Sequence, residues 1–199
     1  MKKINIIVVV LLCTSLWQLS SASWIHVKAI IAQQLLNHSW NLTMDDSGKN
    51  KYKPWSWADT WPVAKMTVPK HHVEQIILAG DSGSSLAFAP GYSLASALPN
   101  SAGTTVISAH RDTHFKFLKE LKINEIILMQ TPDDTITYQI HDIQIVDSKS
   151  FRIQPDKEEQ SLILVTCYPF EGLTSGGSLR YLVYASEVTE ETKIKLQET

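Results

Sequence analysis

The hydrophobic pattern changes rhythm near residue 60. Before it, apolar residues fall in a long run and then in a helically spaced one. Residues 4–12 are almost unbroken Ile, Val and Leu apart from Asn5, and they follow Lys2 and Lys3. Positive residues ahead of an apolar run mark an export signal. Two outcomes compete for residues 1–23. Ser20, Ser21, Ala22 and Ser23 are small enough for a signal peptidase. Left uncut, the segment is a membrane anchor with its lysines inside and everything downstream outside. The run is shorter than the ~20 residues of a comfortable span, but Trp17 and Trp24 can extend it at the outer interface, and the anchor is the expectation adopted. Residues 24–40 set Trp24, Val27, Ile31 and Leu35 at helical spacing, flanked by Ile25, Ile30 and Leu36, with no proline. This predicts a helix packed on the domain or on the membrane surface. A polar stretch at 44–53 predicts a loop and a domain boundary. The organisation read from the chain is therefore a signal-anchor at 1–23, a helix and linker at 24–50, and a domain at 51–199.

Beyond residue 60 the rhythm is that of short strands. The runs at 63–68, 73–79, 86–88, 104–109, 125–129, 135–139, 140–147, 162–165 and 181–188 are apolar or alternating, and Gly, Pro, Asn and Asp punctuate many of the gaps between them. Short strands at this spacing predict an all-β sandwich or barrel. Asp112 or Thr113 can cap a short helix that turns Phe117, Leu118 and Leu121 inward. Trp55, Trp57 and Trp61 lie between Pro54 and Pro62, form no regular element, and are expected to cap the edge of a core.

Composition narrows the partners. The chain has 199 residues, 44% of them hydrophobic, and a formal net charge of −2. That fits one domain plus extras, and with no basic cluster it sets nucleic acid aside. Of two cysteines, Cys13 sits in the N-terminal apolar run, where bulky Leu12 argues against lipidation. Cys167 is a lone thiol in the folded part, at the end of the strand LILVTC. A turn with Gly172, Gly176 and Gly177 follows, and Arg180 opens the next strand. Neighbouring antiparallel strands bring such a thiol and guanidinium to one end of a sheet, and a fixed cation biases a thiol toward thiolate. His110, just past the strand TTVISA, is the candidate base. A thiolate can attack a carbonyl, an imidazolium can protonate a leaving amine, and a guanidinium can donate to the oxyanion or the bound backbone.

The remaining titratable residues have competing roles. His110 and His114 have the spacing of a helical metal pair, which Cys167 could complete as a zinc site. No fourth ligand is evident, so neither a metal nor a cofactor is expected, and His114 is read as a helix-start residue near the pocket. Asp112 either orients His110 or caps the short helix. His71 and His72 are read as solvated, and His141 as structural.

At these residues the chain resembles a sortase. LVTC with Arg180 thirteen residues on is similar to that family's catalytic strand pair, and SAHRDTHFKFL to its histidine segment. HRDTHF, TCYPF and the PWSWADTWPVA stretch at 54–64 resemble the sortases of Gram-negative bacteria most. The resemblance covers residues 24–185. It implies a closed eight-stranded β-barrel with short helices, an N-terminal membrane anchor in the inner membrane with the domain facing the periplasm, and a cysteine transpeptidase. It implies cleavage of an LPxTG-like sorting signal between Thr and Gly on a surface or secreted protein, followed by transfer to an amine whose identity the sequence leaves open. His110, Cys167 and Arg180 are the catalytic three by this resemblance. Thr166 lies beside the oxyanion position, with Ala109 next to the histidine. Ala109 stands where many sortases have Gly, and Ile163 where many have Thr. Other cysteine enzymes fit less well: QAC-type flanks are absent, the cysteine follows the histidine, and Thr166 occupies a place where a glycine would be needed. A reading of another class remains beside these, an anchored β-barrel binding module with an inert cysteine.

Overall fold

In a computed structural model, residues 2–155, 157–172 and 177–188 are described, without the side chains of residues 2–5, 7, 19–23, 25 and 26. Gly176, the small side chains at 20–23 and the last eleven residues of the predicted domain lie outside that set. Eight strands close into a barrel: β1 (Pro62–Val68), β2 (Val73–Ala79), β3 (Gly91–Tyr92), β4 (Thr104–Ser108), β5 (Ile126–Gln130), β6 (Thr135–Asp147), β7 (Ser161–Cys167) and β8 (Leu179–Glu187). Their order around the barrel is β1-β2-β3-β4-β7-β8-β6-β5. Closure removes the free edges that an open sheet would expose. Two neighbouring pairs, β2 with β3 and β4 with β7, are parallel.

The strands form where alternation gives each a buried face. Met66, Ile77, Ile107, Ile127, Tyr138, Leu164 and Val183 fill the barrel interior together with Phe115 and Leu118. Three sequence expectations change here. Residues 86–88 are not a strand: Ser82 caps a one-turn helix, α2 (Gly83–Leu86), and the sheet instead takes up the two residues Gly91–Tyr92. The runs at 135–139 and 140–147 are one strand, because the register shifts between Ile140 and Asp142 and His141 is the extra residue. A bulge hides a continuous strand from a period-two reading, and it leaves His141 exposed. Asp112 and Thr113 cap no helix. The short turn Lys116–Glu120 starts at Phe115 without a side-chain cap, although Leu118 and Leu121 are buried as expected.

Before the barrel runs one helix, α1 (Lys2–Asp45), continuous across residue 23. Its buried face is Ala32, Leu36, Ser39, Trp40 and Thr43, while the expected stripe of Trp24, Val27, Ile31 and Leu35 is exposed. Leu36 and Trp40 pack on Ile76 and Leu78 of β2 and on Ala89. Toward its start, Ile6, the residues at 8–12, Leu16 and Trp17 are exposed apolar surface. Among the described residues no helix is long and apolar enough to cross a membrane. Of the three tryptophans after α1, Trp55 meets Phe88 edge-on at 4.7 Å and Trp61 packs on the core under Lys51, as expected of caps. Trp57 is 83% exposed and caps nothing.

The direction of α1 relative to the barrel follows from its neighbours. Lys28, Ala29, Ala32 and Gln33 border a cavity with Thr113 and His114, just beyond the end of β4. Gly48, past the helix C-terminus, lines a cavity with Pro132 of the β5–β6 turn at the opposite end. The apolar first half of α1 therefore leaves the barrel at the end where β4 and β7 finish. Truncating the buried anchor, Trp40→Ala, should cost about 3 kcal/mol of stability. Urea unfolding checks it, and an unchanged midpoint would show that α1 is not docked in solution.

Candidate active site

Strand register sets the height of the three proposed side chains. In the parallel β4–β7 pair, Ser108 lies opposite Val165. The next step is also tied, because the Ala109 N–H donates to the Val165 carbonyl at 3.2 Å. The Thr166 hydroxyl donates to the Ala109 carbonyl at 2.7 Å. His110 thus stands level with Cys167, and Cys167 pairs directly with Arg180 across the β7–β8 ladder.

Alternation then decides the face. Leu164 and Val183 point into the barrel, and Val106, Ile163 and Leu182 pack on its outer surface. Cys167 follows Ile163 and Val165 in phase, and Arg180 precedes Leu182 in phase. The structure therefore brings His110, Cys167 and Arg180 to one rim, with the thiol and guanidinium on the outward face. His110 is exposed there, while Cys167 and Arg180 are half-buried. Outside the barrel, Phe151 and Ile153 from the β6–β7 connection pack against the outer apolar cluster. A cleft of about 310 Å³ lies between them and Val146, Val165, Arg180 and Leu182.

Several supporting contacts carry no sequence pattern. The Arg180 Nη1 donates to the Gly177 and Leu179 carbonyls, at 2.7 and 2.9 Å. Asp147, at the end of β6, has its carboxyl held below the ordinary range by the Lys149 N–H, then by Ser178, with Arg180 adding charge attraction. Arg111 is a buried cation that the sequence reading passed over. Its Nη1 and Nη2 donate to the Pro169 and Gly172 carbonyls, each at 2.7 Å, and its Nε meets Asp112 Oδ1 at 3.3 Å. Asp112 thus pairs with Arg111 rather than capping a helix. Past the cis Tyr168–Pro169 bond, Tyr168, Phe170 and Tyr181 form a ring cluster with centroids 5.1–6.2 Å apart.

The other histidines have settled neighbours. His114 is half-buried against α1, and its carbonyl accepts from the Gln75 amide at 2.7 Å. Burial first, then the nearby His110, hold its pKa below the ordinary value. His71 is not solvated as expected: its Nε2 lies 2.7 Å from Glu125 Oε2, and Lys70 approaches Oε1 at 2.9 Å. Burial of the Glu125 carboxyl raises its pKa, but the Lys70 and His71 contacts outweigh that and lower it overall. His72 is exposed. Among the described residues no group of three His, Cys, Asp or Glu side chains could hold a metal ion.

The model of the sortase domain matches residues 66–188. Sortase D of Bacillus subtilis is 34% identical over 127 residues, which cover 62% of this chain. The chain spans 63% of that relative's length. The fold is similar to that of a Clostridium perfringens sortase D5 transpeptidase, with a TM-score of 0.65 at 19% identity, over 80% of this chain and 99% of that one. It is also similar to sortase C-1 from Actinomyces oris, with a TM-score of 0.56 at 25% identity, over 64% and 75% of the two chains.

The His114 environment has a consequence for stability. A histidine whose folded pKa is depressed favours the folded state above the unfolded pKa of about 6.5 and loses that contribution as pH falls. The urea midpoint should therefore decline from pH 7.5 to 5.5, and His114→Gln should flatten that decline. An unaltered slope in the variant would remove His114 as its source.

Proposed function

The chain belongs to the sortase family, and we propose that it is a cysteine transpeptidase acting on proteins that carry an LPxTG-like C-terminal sorting signal. The thiolate of Cys167 adds to the carbonyl carbon of the Thr–Gly bond. The C–N bond breaks, and the glycine amine leaves with a proton from the His110 imidazolium. An acceptor amine then adds to the thioester carbonyl, gives up a proton to the imidazole and expels the thiolate. Arg180 donates hydrogen bonds to the oxyanion or to the substrate backbone. The observation that carries this reading is the shared level of His110, Cys167 and Arg180 on adjacent strands. The Arg180 guanidinium is held by carbonyls of its own loop, and substrate carbonyls would exchange with these. The cleft beside Phe151 and Ile153 is apolar on the β7 side, which suits the leucine and proline of a sorting signal.

The finer assignments rest on sequence and surface. The stretches HRDTHF, TCYPF and PWSWADTWPVA support a sortase of the Gram-negative type. The apolar run at 4–12 behind two lysines, together with the exposed apolar residues at 8–12, supports insertion of the start of α1 into the inner membrane. The barrel would then face the periplasm. Since that half of α1 leaves from the end where β4 and β7 finish, the same rim that bears Cys167 would be turned toward the bilayer. Substrates tethered to the membrane would meet it there.

Two variants and one label test the chemistry. Cys167→Ala should abolish formation of a thioacyl adduct with a sorting-signal peptide, read by intact-protein mass spectrometry; an adduct in the variant refutes the nucleophile. Arg180→Ala should fold and lose on the order of 10²–10³ in turnover, and loss of folding instead would make the residue structural. Iodoacetamide should label Cys167 rapidly near neutral pH. Failure to label in the folded protein would support an inert thiol and the binding-module reading.

A further inference from the structure

Between the histidine segment and the cysteine loop lies a buried side-chain bridge that the transpeptidase chemistry does not use. Arg111 follows His110 directly in the chain. Its guanidinium is buried, and the two terminal nitrogens form a fork on the carbonyls of Pro169 and Gly172, both at 2.7 Å. Those carbonyls belong to the segment that leaves Cys167. The chain on either side of the bridge is also fixed. The His110 carbonyl accepts from the Phe115 N–H at 3.0 Å, and the Tyr168 N–H donates to Leu179 at 3.1 Å.

We propose that Arg111 is a positioning residue: its guanidinium fork ties the loop after Cys167 to the backbone of His110, and thereby sets the thiol and imidazole in reacting register. Two features separate this from a general stabilising contact. A planar fork satisfies two carbonyls at a fixed separation, which a lysine ammonium cannot do. The partner residue is matched to it as well, because a Cβ on Gly172 would lie 2.9 Å from Arg111 Nη1 and 3.3 Å from its Cζ. Glycine there is what lets the cation approach the backbone. Asp112, whose side chain is 70% exposed, lies against the Nε side. It provides a counter-charge from solvent without displacing either carbonyl bond.

The inference rests on Cys167 and His110 being the reacting pair, so the experiment carries both arms. Wild type, Arg111→Lys, Arg111→Ala and Gly172→Ala are compared for thioacyl formation with a sorting-signal peptide, for the rate and pH dependence of Cys167 alkylation, and for thermal midpoint. If wild type forms no thioacyl adduct, the sortase chemistry fails and takes this proposal with it. If wild type reacts, Arg111→Lys and Gly172→Ala should each lower kcat tenfold or more with KM changed less than threefold, and shift the pH dependence of alkylation. Guanidinium ion added to Arg111→Ala should restore part of the rate. Equal kcat and an equal alkylation profile in Arg111→Lys and Gly172→Ala, with only the thermal midpoint lowered, would overturn the positioning role. Should Arg111→Ala not fold, the Gly172→Ala and Arg111→Lys comparison decides alone.

Discussion

Parallel pairing of β4 with β7 is the constraint on which the site depends. Parallel neighbours share a direction, so two strands that enter the barrel at one end leave together at the other. The ladder is extended past its last formal pair by the Ala109 N–H on Val165 and the Thr166 hydroxyl on Ala109. An antiparallel arrangement would have put the histidine that ends SAH and the cysteine that ends LVTC at opposite ends. The antiparallel β7–β8 pair then adds Arg180 beside Cys167 without a further requirement. Three segments far apart in sequence thus reach one height through main-chain ladders, with the Thr166 hydroxyl as the one side-chain bond named in that extension.

Side-chain and loop contacts refine what the ladders bring together. Beyond the strands, the site is walled by the β6–β7 connection, whose Phe151 and Ile153 cover the outer faces of Ile163 and Leu182. The barrel thus has two apolar layers, one inside and one on the outer face beneath that connection. Strand ends position the candidate reacting groups and a loop supplies the wall, the usual division between a scaffold and a recognition surface. The ring cluster of Tyr168, Phe170 and Tyr181 holds the start of the β7–β8 loop against the barrel. The Thr166 hydroxyl donates to the Ala109 carbonyl and so ties the end of β7 to the segment that leads into His110.

Much of this was legible in the chain, and the limits have physical causes. β1 alternates between buried and half-buried positions, while β2, β4, β7 and β8 are short apolar runs covered on both faces over part of their length, so run length and flanking turns revealed them to within a few residues. β3 is two residues long and has no period to detect. β6 was split because the bulge at His141 inverts the phase midway. On α1 the most apolar stripe is not the buried one, since the barrel covers only its last third and solvent-facing apolar residues lie elsewhere on the helix. His110, Cys167 and Arg180 were recognisable by type and by their places at strand ends. Arg111 was not, because its partners are the main-chain carbonyls of Pro169 and Gly172, and a carbonyl has no letter in the sequence. His71 was misjudged for a similar reason: its partner Glu125 lies fifty-four positions away.

The unbroken course of α1 from Lys2 to Asp45 makes the helix a gear as well as a rod. A residue inserted or deleted ahead of Lys28 changes the reach of the apolar tip by about 1.5 Å and turns it about the axis by about 100° relative to the rim. Length and bearing are therefore locked together in this protein. A relative that altered the first would need nearly a whole turn of helix to recover the second.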